Sequence, residues 1–324
     1  MKNWFRLPSV RAVAALALVL LLGFIFNADG AFYKWGTHSD MFRAISVYGI
    51  LACGMTLVII TGGIDLGVGS VLGLNAVLFS LLAIHLGWSP WLAIPVTLLA
   101  GALCGLAVGG LIARFQVQAF IATLAMMVFA RGLAKWLSGG QKISTVIQKA
   151  DGDFMNVPAP PVFDQLGAKI LHGNLALVTV IFLASILVCW IILAKLRWGR
   201  YLYAIGGNEE AARLSGVPVR SMKLLAYGLS GLFSALAGIC QAAQELQGDP
   251  EAGGSYELTA IAIVVIGGTS LAGGRGGIGL TLVGALTIGY LEKILSINAV
   301  GEATRLMLTG VIIIGAVLFQ RMKK

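Results

Sequence analysis

Apolar residues fall in ten long runs along this chain, at about residues 11–27, 42–60, 67–86, 89–113, 119–137, 174–194, 223–247, 256–271, 277–296 and 303–319. Most are about as long as the roughly 20 residues a helix needs to cross about 30 Å of hydrocarbon. A bilayer admits only helices or closed barrels, since each unpaired backbone group there costs several kcal/mol. Barrel strands alternate with a period of two, and these runs are evenly apolar, so helices are predicted. The eighth run is short and the third and ninth are Gly-rich, which leaves eight or nine spans open beside ten. The chain therefore reads as an all-α polytopic membrane protein of about ten transmembrane helices, residues 1–324 forming one transmembrane domain.

Composition closes the alternatives. Of 324 residues, 58% are hydrophobic and 11% charged, against about 25% charged in an ordinary soluble domain. A soluble enzyme, a disordered chain and a disulfide scaffold are excluded. The net charge of +9 reads as cytoplasmic loops rich in Lys and Arg rather than as nucleic-acid binding. With the N-terminus inside, Lys2, Arg6, Arg11, Arg114, Lys195, Arg197, Arg200, Arg213, Arg220, Lys223, Arg275, Arg321, Lys323 and Lys324 share the cytoplasmic face, 14 of the 23 basic residues. Asp65, Glu209 and Glu210 are the acidic residues on that side. Both termini are then cytoplasmic, and the first span is expected to stay uncleaved. Cys53, Cys104, Cys189 and Cys240 lie in apolar runs with no metal or redox spacing. His38, His85 and His172 are scattered, so no metal site is expected.

Two loops stand out. The outer loop 138–173 carries Pro158-Ala159-Pro160-Pro161, which forbids continuous helix. It reads as a solvated connector or as a surface met by an external partner. The inner loop 195–223 is punctuated for a short helix at about 208–215. Asn208 is an N-cap residue, Glu209 and Glu210 suit the positive end of the helix dipole, and Ala211 and Ala212 are strong helix formers. Arg213, Leu214 and Ser215 complete the turn, Gly216 suits a left-handed close, and Pro218 stops the helix. A helix so short is marginal in water, so it either rests on the membrane face or docks against a cytoplasmic partner.

Four stretches then carry a resemblance: Gly54 to Leu66 (GMTLVIITGGIDL), Gln116 to Leu124 (QVQAFIATL), Gly199-Arg200-Tyr201 running through Gly206-Gly207-Asn208-Glu209 to Gly216, and Gly267 to Gly276 (GGTSLAGGRG). In order and spacing the chain resembles the ribose-type permeases of bacterial ATP-binding-cassette sugar importers, with the permease fold of ribose and vitamin B12 importers. That pattern often has Ser where Gly67 stands. The resemblance implies a multi-pass subunit of the bacterial inner membrane, paired with a second permease copy or a sister permease, with the sugar path between them. It implies a cytoplasmic ATPase that holds ATP and its magnesium, so that no cofactor is expected on this chain, and a periplasmic sugar-binding protein. Residues Gly207 to Gly216 then look like the coupling helix that seats in the ATPase.

Asp65 sits at an inner helix break, where it reads as a gate residue, as the N-cap of the next helix, or as both. Gly267-Gly268 and Gly273-Gly274-Arg275 bracket another inner turn, with Gly268, Gly274 and Arg275 as its candidates; no Gly-Lys dipeptide exists to make it a phosphate loop. Gly69, Gly73, Gly101, Gly105 and Gly109 recur at a spacing of four, suited to helix packing. Thr56, Ser70, Asn75 and Thr123, with Ser230, Ser234 and Gln241, are the neutral polar residues suited to sugar hydroxyls. Arg131, Lys135, Glu245, Glu257 and Glu292 are expected near outer helix ends. That placement, and the absence of an acidic pair at a span centre, weigh against the alternative of an ion-coupled secondary transporter. No nucleophile–base or metal constellation suggests an enzyme.

Overall fold

The computed structural model describes residues 8–148, 153–301, 303–305, 307, 308, 310 and 311. Most of the tenth run, and with it Lys2, Arg6, Arg321, Lys323, Lys324 and both termini, lie outside the described residues. Among those described, seven helices are long and apolar enough to cross a bilayer. They are α2 (Trp35–Ile60), α3 (Val68–Ser80, continued to His85), α4 (Pro90–Phe115), α5 (Ala119–Ser138), α7 (Leu177–Trp190, continued to Lys195), α10 (Val219–Glu245) and α12 (Ile278–Ile297). Two shorter apolar helices are α1 (Pro8–Ile25) and α11 (Tyr256–Ile266). The chain is a multi-pass, all-α membrane protein. The continuations of α3 and α7 widen to i→i+5 bonding, closed by Leu86 N–H to the Leu81 carbonyl (3.0 Å) and Leu196 N–H to that of Ile191 (3.1 Å).

Helices α2 and α10 form the centre. The second half of α2, from Gly49 to Ile60, is buried throughout, as a helix apolar on all sides must be. Helix α10 packs on α4, α2 and α3. Water cannot drive helices together within lipid, so close backbone approach between small residues does. The spacing-of-four glycines supply it. A Cβ on Gly105 would lie 2.1 Å from the Tyr227 carbonyl oxygen, and one on Gly231 2.1 Å from that of Gly101. On α3, Gly69 and Gly73 accept instead the backbone of Gly253 and Ala252.

Three readings of the sequence need correction. First, residues 197–207 are not loop: α8 (Arg197–Gly207) fills them, burying Gly199, Leu202 and Ile205 at a spacing of three while Arg197 and Arg200 stay exposed. Second, the loop 138–173 is built structure. Strand β1 (Val146–Gln148) pairs antiparallel with β2 (Phe154–Asn156), α6 (Pro161–Gly167) follows, and β3 (Lys169–Ile170) pairs with β4 (Leu175–Ala176). Pro161 opens α6 because a first-turn proline loses no hydrogen bond. Its Phe163 is buried, stacked on Phe79 at 5.0 Å. Third, the helix expected over 256–271 spans only Tyr256–Ile266, about 16 Å at 1.5 Å per residue. The glycines on both sides of it break the run.

Candidate functional site

The short helix foreseen in the inner loop exists as α9 (Glu209–Leu214). Asn208 is extended, and its Oδ1 accepts the Ala211 N–H at 3.0 Å. Ser215 Oγ donates back to the Ala211 carbonyl (2.8 Å). Gly216 adopts φ 81°, and the Gly216 and Val217 N–H groups donate to the Arg213 and Ala212 carbonyls at 3.0 Å. Both ends are therefore satisfied locally, as the caps require. Ala212 is buried beneath the helix. Outward stand Glu210 and Arg213, paired at 2.6 Å, and Leu214, 79% exposed. The hydrogen bond and charge of Glu210 hold the Arg213 guanidinium above its ordinary range. Lys223, at the start of α10, donates to both Glu209 oxygens at 2.7 Å and ties the rod to a long helix.

The base of α9 rests on a stack of glycines from three distant segments. A Cβ on Gly206 would lie 1.8 Å from the Ile60 carbonyl oxygen and 2.4 Å from Gly274 N. Gly274 N–H donates to that same Ile60 carbonyl at 3.0 Å. Gly273 packs on Gly62 and Gly206, and Gly274 on Gly207. Positive φ at Gly62 (83°), Gly268 (105°), Gly273 (82°) and Gly274 (68°) lets both turns fold back far enough to meet. Tyr203 of α8 adds a bond from its hydroxyl to the Gly276 carbonyl (3.0 Å), and Ser270 N–H closes the turn on the Arg275 carbonyl (2.9 Å), with Arg275 exposed. The α2–α3 break, the end of α8 and the α11–α12 turn thus touch chiefly through backbone, with the Tyr203 hydroxyl as the added side-chain bond.

Asp65 lies within the break, buried. Its Oδ1 accepts the Gly67 N–H (3.0 Å) in a tight turn ahead of α3, whose N-cap residue is Gly67 and not Asp65 as the sequence suggested, and its Oδ2 accepts the Ser230 hydroxyl (2.7 Å) from α10. A Cβ on Gly67 would stand 3.3 Å from Asp65 Oδ1 and 3.4 Å from the Thr123 carbonyl, so the serine common at this position in the resembling permeases needs only small adjustments. The Tyr227 hydroxyl, buried beside Gly63, has no partner among the described residues. Between break and rod lies a cavity of about 350 Å³, bounded by Gly62, Gln116, Gln118, Arg213, Lys223 and Tyr227.

The five polar candidates do not converge. Asp65 and Thr123 lie on either side of Gly67, with Thr123 Oγ1 bonded to its own helix at the Ala119 carbonyl (2.9 Å). Thr56 pairs with Thr281 of α12 at 2.7 Å. Asn75 donates to the Val71 carbonyl (2.7 Å), and its Oδ1 is without a partner among the described residues. Ser70 lines a second cavity with Arg131 and Glu257. Sequence reasoning missed Lys223, Tyr203 and Tyr227 as members of the first site; Lys223 is 14 residues from Glu209, beyond any helical periodicity. It also placed Arg131 and Glu257 at outer ends, whereas Glu257 stands in the first turn of a half-length helix, against Gly69, the second residue of α3.

Comparison with known proteins agrees with this architecture. A family profile described as "Branched-chain amino acid transport system / permease component" matches residues 38–317. The chain is 38% identical over 318 residues to the ribose import permease protein RbsC of Escherichia coli K12, covering 95% of this chain and 93% of the relative. RbsC of Bacillus subtilis is 39% identical over 314 residues (95% and 92%), and the fructose import permease protein FrcC of Rhizobium meliloti 34% over 312 (95% and 84%). No solved structure matches the chain significantly. With a profile covering most of its length and relatives this similar end to end, the chain belongs to the family of these import permease components.

Proposed function

We propose that this chain is the pathway-forming permease of an ATP-binding-cassette importer for a monosaccharide, a pentose or hexose. Relatives named as ribose, fructose and xylose import permeases support the sugar; as a transport component, the chain is not an enzyme. The end bearing α8, α9 and the glycine stack faces the cytoplasm of a bacterial inner membrane, as the Lys and Arg residues clustered there favour. Helix α9 is the coupling helix. It seats in a cytoplasmic ATPase that holds ATP and magnesium, with Leu214 as its apolar knob and Glu210 and Arg213 as its polar contacts. A periplasmic binding protein delivers the sugar to the opposite end, and a second permease subunit completes the path. Asp65, with Ser230 and Tyr227, forms the inner gate region.

The observation that carries this reading is the glycine stack. A docked α9 moves against Gly206 and Gly207, and these bear directly on Ile60, Gly273 and Gly274, with Gly273 in turn packed on Gly62. Closure of an ATPase beneath α9 therefore acts on the ends of α2, α3, α11 and α12 without passing through flexible side chains. The experiment is uptake of radiolabelled ribose into membrane vesicles. Uptake that needs ATP, survives a protonophore and is abolished by joint alteration of Glu209 and Arg213 supports the importer. Uptake that ignores ATP and collapses with the protonophore supports an ion-coupled carrier.

A further inference from the structure

A second cavity, about 470 Å³, opens on the side of the molecule between α3, α5 and the segment 246–255 that leads into α11. Its size falls within the roughly 300–1,000 Å³ of small-molecule pockets. Its depth follows from the helices around it. Arg131 is twelve residues from the start of α5 and seven from its end, about 18 Å and 10 Å along the axis. Segment 246–255 leaves α10 and folds inward along α3 until the Gly253 carbonyl meets Gly69. Helix α11 starts there, so Glu257 enters the protein well inside the span.

The polar groups in this cavity have separate duties. Arg131 Nη1 donates to the Pro250 and Ala252 carbonyls, the latter at 2.8 Å, and pins the inward segment. Those bonds use part of a fork that carries five N–H donors and no acceptor. Lys135 is engaged with Glu251 at 2.6 Å, and outside the lining Lys142 pairs with Asp249 at 3.0 Å. Glu257 makes no ion pair among the described residues. Its carboxylate lies over Gly69, where a Cβ would come within 2.6 Å of Oε2, so the glycine makes room for it. Ser70 and Ser255 add hydroxyls, and Met127, Val128 and glycines form the apolar part of the lining. Such a set is costly against hydrocarbon and marks a polar path instead. Helix α5 is the least covered of the long helices, with Val128 and Phe129 exposed beside the opening.

We propose that this cavity is a monosaccharide subsite on the transport path, where remaining donors of Arg131 and the carboxylate of Glu257 take neighbouring sugar hydroxyls. A hydroxyl both donates and accepts. A donor-only guanidinium over Gly73 and an acceptor-only carboxylate over Gly69, one turn apart along α3, therefore suit a diol, and no apolar cargo needs them. The inference rests on the sugar-importer reading and adds to it where the cargo is held.

The test uses the complete importer, permease with its ATPase and binding protein, in proteoliposomes. Glu257→Gln keeps the side-chain volume and removes the acceptor charge. Ribose uptake is expected to fall at least tenfold while the variant assembles with the ATPase in wild-type yield; uptake within twofold of wild type overturns the proposal. A second measurement stands apart from that variant. Ser255→Cys, in a chain whose four cysteines are replaced by alanine, is modified by a charged, water-soluble methanethiosulfonate, and D-ribose slows the modification severalfold. Modification by a lipid-soluble maleimide alone overturns the subsite. A wild-type importer that carries no ribose counts against the sugar reading of the whole chain, and the charged reagent then still decides whether the cavity is a wet path or a lipid-facing surface.

Discussion

Gly206 and Gly207 are neighbours at the end of α8 with opposite tolerances. An alanine Cβ at 206 would stand 1.8 Å from the Ile60 carbonyl oxygen and 2.4 Å from Gly274 N, both backbone atoms. Contact at an acceptable distance demands a displacement of more than 1 Å, which also breaks the 3.0 Å bond from Gly274 N–H to Ile60. Overpacking costs about 1–3 kcal/mol, and the lost hydrogen bond about 0.5–1.5 kcal/mol. Alanine's helix propensity returns at most about 1 kcal/mol, so Gly206→Ala is destabilising by roughly 1–3 kcal/mol. At Gly207 nothing lies within 4 Å of the added carbon, and its φ is not positive, so Gly207→Ala is neutral or slightly stabilising. The seven tryptophans supply the signal for thermal unfolding in a single detergent. Gly206→Ala should melt several degrees below Gly207→Ala. If the two variants melt within one degree of each other, the glycine stack does not join the three segments.

Two further expectations bear on the same end. Ser230→Ala removes the 2.7 Å hydrogen bond to a buried Asp65 oxygen and should cost about 1–3 kcal/mol, read as a lowered melting temperature. Glu210→Lys replaces one member of an exposed ion pair, worth about 0–1 kcal/mol. It should leave membrane insertion and melting nearly unchanged while the ATPase no longer co-purifies; retained co-purification together with retained transport would refute the docking role.

What could be read from the chain follows from the range of the forces involved. The rod α9 was legible because both of its ends are settled by neighbours in sequence: Asn208 caps Ala211, and Gly216 closes on Arg213. The long spans were legible because the bilayer imposes their length. The glycine pairs could be read as turns, but nothing local says that Gly62, Gly206 and Gly274 meet. Helix α8 was hidden because its buried stripe is only Gly199, Leu202 and Ile205 amid Arg, Trp and Tyr. Glu257 was misplaced by the assumption that each apolar run crosses the whole membrane. The segment before it turns inward along Gly69 and Gly73, an approach fixed by packing rather than by hydropathy.

The most direct test of the central claim is where α9 lies. Leu214 is 79% exposed and makes no ion pair, so Leu214→Cys leaves the fold undisturbed. In a background without the native cysteines, a membrane-impermeant thiol reagent should modify it in inside-out vesicles stripped of the ATPase and not in intact spheroplasts. A short bifunctional cross-linker should join it to the ATPase. Modification from the outer face of intact spheroplasts would contradict the account.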